Sequence, residues 1–219
     1  MKKLLLGLSL SLLASSAFAA DAIVEQVAPA FSWTGGYAGI QAGYAWGDGD
    51  IDQITGPGFI DSKPDGFLGG IYAGYNYQMS NNLVVGAELD VVSANVDGSG
   101  QIFTAPGIPF PGIFANEELN WSAAARLRLG YAVDRFLPYI AGGVAFGDID
   151  VSSNSGTPFG GTHTGWTLGV GLDYAMTDNL LLRAEYRYTD FGSESYGDPF
   201  DSEVKLTTSE VRLGIAYKF

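Results

Sequence analysis

Glu210-Val211-Arg212-Leu213-Gly214-Ile215-Ala216-Tyr217-Lys218-Phe219 closes the sequence with an unbroken alternation. Val211, Leu213, Ile215, Tyr217 and Phe219 share one face, while Glu210, Arg212, Gly214, Ala216 and Lys218 share the other. A period of two over this length is a β-strand with one apolar side. The same period recurs upstream. In 180–191, Leu182, Ala184, Tyr186 and Tyr188 alternate with Arg183, Glu185 and Arg187, and in 118–133, Trp121, Ala123, Ala125, Leu127, Leu129 and Tyr131 alternate with Ser122, Ala124, Arg126, Arg128 and Gly130. Trp166, Leu168, Val170, Leu172 and Tyr174 oppose Thr167, Gly169, Gly171 and Asp173, and Val85, Ala87, Leu89 and Val91 oppose Gly86, Glu88 and Asp90. In each strand the charges keep to one face.

Eight such segments fall near 33–46, 66–78, 83–95, 118–133, 138–147, 164–176, 180–191 and 207–219. Their connections alternate. Residues 79–82, 134–137 and 177–179 are tight turns, whereas 47–65, 96–117, 148–163 and 192–206 are long and rich in Gly, Pro, Ser and Asp. This rhythm predicts an all-β, eight-stranded antiparallel transmembrane up-and-down barrel with short periplasmic turns and long outer loops. Periodicity alone would equally serve a soluble sandwich, with its apolar face turned inward. Three features favour lipid on the outside: aromatic residues such as Phe67, Tyr75, Tyr77, Trp121, Tyr131, Trp166, Tyr174, Tyr217 and Phe219 collect at the strand ends, as interfacial girdles do, the charged face mixes signs, as a closed interior requires, and the charges of the loops are nearly all acidic.

At the amino end, Lys2 and Lys3 precede the apolar run 4–13 and Ala17-Phe18-Ala19. This pattern predicts a signal peptide over 1–19, a periplasmic lead-in over 20–32 and a barrel domain over 33–219. The run is too short to span a bilayer as a helix, which takes about 20 residues. There is no cysteine, hence no disulfide. Thirty-one glycines and 13% aromatics suit sheet rather than helix. The net charge of −13 argues against nucleic acid as a partner, because phosphates need Lys and Arg opposite them. The expected location is the outer membrane of a Gram-negative cell.

Several stretches carry a family resemblance: Trp33-Thr34-Gly35-Gly36-Tyr37-Ala38-Gly39, Pro138 to Ala145, Gly165 to Gly171, Arg183 to Tyr188 with Asp190-Phe191-Gly192, and Val211 to Phe219. In these the chain resembles the small outer-membrane proteins of alphaproteobacteria, the family of the 25 and 31 kDa outer-membrane antigens and the hemin-binding surface proteins. The resemblance implies an eight-stranded barrel with surface-exposed loops, and it implies that Tyr217 and Phe219 belong to the ending read by the outer-membrane assembly machinery. It implies no single activity, since such properties reside in loops rather than in the fold.

The candidate sites follow from the faces. Arg126, Arg128, Arg183, Arg187 and Arg212 against Glu88, Asp90, Asp173, Glu185 and Glu210 form either a structural plug or a selectivity filter. An eight-stranded barrel has an interior that side chains fill, so the plug is expected. Phe103, Phe110 and Phe114, in the proline-rich stretch 101–114, make a candidate binding loop for a host or envelope ligand. His163, the sole histidine, is read as the end of the third long loop, where it offers a heme ligand or a solvated side chain. Asp48, Asp50 and Asp52 begin like a calcium loop, but Gln53 stands where a glycine is needed and Phe59 where a bidentate Glu is needed, so no metal site is expected. With one His and no Cys, no catalytic constellation is assigned. The expected role is therefore structural: contributing to envelope integrity, contacting lipid and lipopolysaccharide, and presenting loops as antigen or adhesin without an open channel. A small porin or hemin-binding protein is the alternative, and a membrane enzyme at the barrel rim the lesser one.

Overall fold

Alternation of β-branched and aromatic residues with small or charged ones commits nearly every described segment to extended backbone. The computed structural model describes residues 31–53, 58–104, 108–153, 159–196 and 202–219, and the expected signal peptide and most of the lead-in lie outside them. Among the described residues nine strands form, all paired antiparallel: β1 (Gly35–Gln53), β2 (Gly58–Ser62), β3 (Asp65–Gln78), β4 (Leu83–Thr104), β5 (Ile108–Tyr131), β6 (Phe136–Ser153), β7 (Phe159–Ala175), β8 (Leu180–Tyr196) and β9 (Ser202–Lys218). No helix occurs among the described residues.

The nine strands are eight walls. β2 and β3 lie against β1 in one continuous register, Gly49 opposite Ser62 and Trp46 opposite Asp65, and both continue against β4. The break between them falls at Lys63-Pro64, where proline has no N–H to give the ladder. Gly47 N still donates to Pro64 O at 2.8 Å, so the wall holds across the gap. Each wall pairs with the next, and β1 pairs with β9 from Tyr37 opposite Lys218 to Gln53 opposite Ser202, which closes the barrel. Two of the short turns place Asn82 at φ 66° and Asp134 at φ 50°, the residue types that tolerate the left-handed region.

The strands run past their sequence-expected ends. The segments expected over 83–95 and 118–133 are β4 and β5, of 22 and 24 residues. The expected loop 96–117 is thus mostly a paired hairpin, and β6, β7 and β9 likewise extend into 148–163 and 202–206. The chemistry of the two faces inverts along this extension. Low on the wall, Leu89, Val91, Leu127, Ile140, Leu168 and Leu213 point out while the arginines and carboxylates point in. Higher up, Asp48, Asn95, Asp97, Glu118, Asp150 and Lys205 are exposed, and Ala45, Val96, Leu119, Ile149, Phe191 and Leu206 form a buried apolar core. The lower part is solvated by hydrocarbon outside; the upper part is built like a water-soluble sheet protein.

Candidate functional site: the sealed lumen

Inward parity on β4, β5, β7, β8 and β9 delivers five arginines and five carboxylates to one level of the lumen, all of them buried. They form one connected network. Arg212 and Arg187 donate to Asp90 Oδ1 at 3.1 and 2.9 Å, and Arg187 and Arg126 donate to Glu185 Oε1 at 2.9 and 2.8 Å. Arg126 and Arg183 hold Glu88 at 2.5 and 2.6 Å. Arg183 and Arg128 hold Asp173 at 2.8 and 2.7 Å. Glu210 pairs with Arg212 at 2.5 Å. Equal numbers of each sign make the lumen formally neutral. Ions taken out of water need this degree of pairing, since a lone buried charge costs several kcal/mol.

Three tyrosines complete the network. Tyr37 Oη donates to Glu88 Oε2 at 2.7 Å and accepts from Arg128 Nη1 at 2.6 Å, while Tyr139 Oη donates to Glu185 Oε2 at 2.6 Å. The Arg128 guanidinium stacks 3.9 Å over Tyr139, and that of Arg183 lies 4.3 Å over Tyr72. Gly171 makes room for the Tyr139 ring: a Cβ there would stand 2.5 Å from Tyr139 Cζ and Oη. The faces of β1 and β6 were not assigned from sequence, and on β3 only the outward Phe67, Tyr75 and Tyr77 were, so these inward tyrosines were missed there. Parity would have found two of them, because Tyr37 is in phase with Gln41 and Tyr72 with Asn76.

Apolar layers close the network at both ends. Toward the short turns lie Trp33, Tyr37, Val84, Leu137, Leu181 and Ala216, with Phe31 against Trp33 at a ring-centroid distance of 5.0 Å. Trp33 Nε1 donates to Asp134 O at 3.4 Å, which fixes the indole beneath the mouth. Toward the long hairpins lies the upper core described above.

The other sequence-derived candidates are spread over the molecule. His163 is an inward-facing residue of β7, 1% exposed, and not the loop residue expected; the strand begins at Phe159 and carries it inside. The backbones of Phe103, Phe110 and Phe114 belong to β4 and β5, with 105–107 outside the described residues. Tyr217 and Phe219 are exposed on the outer wall, their centroids 5.4 Å apart, and Phe219 N donates to Gly36 O at 2.9 Å. Among the described residues no three acidic or histidine side chains gather at metal-ligating reach.

A closed barrel with lipid-facing aliphatics, aromatic girdles and a charged interior defines an integral outer-membrane protein. The chain belongs to the outer membrane protein β-barrel domain family, whose model matches residues 7–219. It is 38% identical to the 31 kDa outer-membrane immunogenic protein of Brucella melitensis over the full length of both chains. It is 35% identical to the 25 kDa outer-membrane immunogenic protein of Brucella abortus, over 94% of this chain and 92% of that one. Among solved structures, the outer membrane protease OmpT from Escherichia coli superposes with a TM-score of 0.55 at 8% identity, covering 88% of this chain and 99% of that chain, a likeness of fold alone. The protein is an outer-membrane barrel of a Gram-negative cell.

Proposed function

We propose that this protein is a non-conducting structural barrel that anchors extended hairpins at the cell surface, where they act as antigen or adhesin, and that it supports envelope integrity. One observation carries the reading: the neutral charge network is sealed above and below by apolar layers. A diffusion pore needs a continuous wet path, and a barrel of this strand number leaves little room for one. Reconstituted in planar bilayers, the protein is expected to show no stepwise conductance. Stable channels of uniform size would overturn the reading and favour the small porin.

The wall supports the presenting role. On β5, Trp121 and Tyr131 stand ten residue steps apart, about 33 Å of chain. At the usual tilt of about 40° that is close to the roughly 25 Å apolar band of such barrels. More than half of β5 lies beyond Trp121 and stands clear of the hydrocarbon. Asp48, Asp97, Glu118 and Asp150 come just above that boundary, at the level of lipopolysaccharide phosphates, which they would meet through shared divalent cations. In this reading the stretch 101–114 is the first candidate for a host or envelope ligand, and Tyr217 with Phe219 is presented to the assembly machinery. No enzymatic role is assigned. Hemin coordination by His163 would require its ring to leave the lumen wall.

A further inference from the structure

On the outer wall, one sector at the upper edge of the hydrocarbon departs from a plain aromatic girdle. β9 runs here between β1 and β8, and two successive outward residues on it are small. Ser209 has Trp46 and Tyr188 directly opposite on its two sides, and Thr207 has Asp48 and Asp190. Ser209 and Thr207 are half-buried, while Trp46, Tyr186 and Asp48 are exposed. Two hydroxyls thus floor a shallow depression, walled by aromatic rings toward the hydrocarbon and by carboxylates toward water. Neighbouring strands lie about 4.8 Å apart, so Asp48 and Asp190 stand about 10 Å apart across β9, a span that one small charged group can bridge.

The depression offers acceptors and rings rather than donors. Tyr186 Oη donates to Ser209 Oγ at 3.1 Å, and Thr207 Oγ1 donates to Asp48 O at 3.4 Å, so the protons of Tyr186 and Thr207 are already committed. Asp190 gives Oδ1 to Gly192 N at 2.9 Å, which leaves Oδ2. Neither Asp48 nor Asp190 forms an ion pair among the described residues; Lys205, one row farther from the hydrocarbon, is exposed and bridges to neither. The Trp46 and Tyr186 rings stand 6.3 Å apart at 46°, a tilted pair whose π faces draw cations. A primary ammonium brings one positive charge and three N–H donors, and so answers carboxylates, hydroxyl lone pairs and rings together.

We propose that this depression across β1, β9 and β8 binds the primary ammonium group of a lipid headgroup in the leaflet beside the long hairpins. Height argues for a lipid as the source: Trp46 and Tyr186 mark the hydrocarbon edge, where a headgroup amine is held in place by its own acyl chains. A trimethylated ammonium carries the same charge but donates no N–H, so the carboxylates and hydroxyls discriminate against it. The inference goes beyond the surface-presenting role and holds whether or not the hairpins act as antigen or adhesin.

The experiment places the mature protein in nanodiscs of equimolar phosphatidylethanolamine and phosphatidylcholine with identical acyl chains, in EDTA to remove competing divalent cations. Native mass spectrometry then counts the lipids that stay bound. The amine lipid is expected to be retained at least about tenfold over its trimethylated counterpart. Asp48→Asn with Asp190→Asn, which keeps the Oδ1 acceptor for Gly192 N, is expected to abolish the preference, with heat-modifiable migration confirming the fold. Asp48→Asn alone, which leaves the bulge in β8 untouched, is expected to reduce it. Equal retention of the two lipids, an unchanged preference in either folded variant, or displacement of the bound lipid by an excess of free ethanolamine would each overturn the proposal.

Discussion

Glu88 shows how much a single lumen residue carries. It accepts from Arg126, Arg128, Arg183 and Tyr37, whereas Glu210 is held by Arg212 and Thr208. Glu88→Ala leaves three buried guanidiniums short of their counter-ion and is expected to destabilise the barrel by about 3–5 kcal/mol. Glu210→Ala should cost clearly less, and urea unfolding in lipid vesicles compares the two. At Gly171 the cause is steric. An added methyl displaces Tyr139 from Glu185 and from its stack on Arg128, so Gly171→Ala should cost about 1–3 kcal/mol in the same assay, despite adding only one carbon.

At the scale of the strand, the face decides the outcome of a substitution. Leu127 is 73% exposed and lies midway between Trp121 and Tyr131 on β5, so its surroundings are hydrocarbon. Leu127→Arg is expected to cost about 2–4 kcal/mol in a bilayer. An arginine on a water-facing strand would be almost neutral, so a negligible effect would remove lipid from the outer wall. The faces of the lower strands were legible from sequence because one strict alternation runs through them. Strand length was not. Above Trp46, Trp121 and Phe146 the outward residues become Asp, Asn, Ser and Thr and the inward ones Ala, Val and Leu, so an eye set for greasy-out, charged-in reads the extension as loop. Bulges between Ser93 and Val96, Leu119 and Trp121, and Asp190 and Ser193 interrupt the register at the same height. His163 was misplaced for this reason.

Taken whole, the molecule has its charge arranged in two compartments. The ten-residue lumen network is neutral, so the net −13 of the chain is carried by residues outside that network. A barrel closed by β1 and β9 and held by cross-lumen pairs should resist detergent. In gels it is expected to run as a compact species in SDS until boiled, then to shift to the mobility of an unfolded chain. Identical migration before and after boiling would count against closure. Which charges line the lumen could be read from periodicity, but which pairs form could not, because partners such as Arg183 and Glu88 are 95 residues apart and meet only through curvature.

That separation bears on how such a wall can be built. Arg183 reaches Glu88, Arg187 reaches Asp90 and Arg212 reaches Asp90 across the lumen, over 95, 97 and 122 residues of chain. A growing half-cylinder of β1 to β5 would present Glu88 and Asp90 with arginines from β5 alone, and the later strands, with only their local Asp173–Arg183, Glu185–Arg187 and Glu210–Arg212 pairs, would still lack their partners across the lumen. Such an intermediate is electrically unfinished and poorly suited to lie in hydrocarbon. Joining the first strand to the last therefore completes the ion pairing and the lipid-tight surface in one event, which favours insertion and closure occurring together.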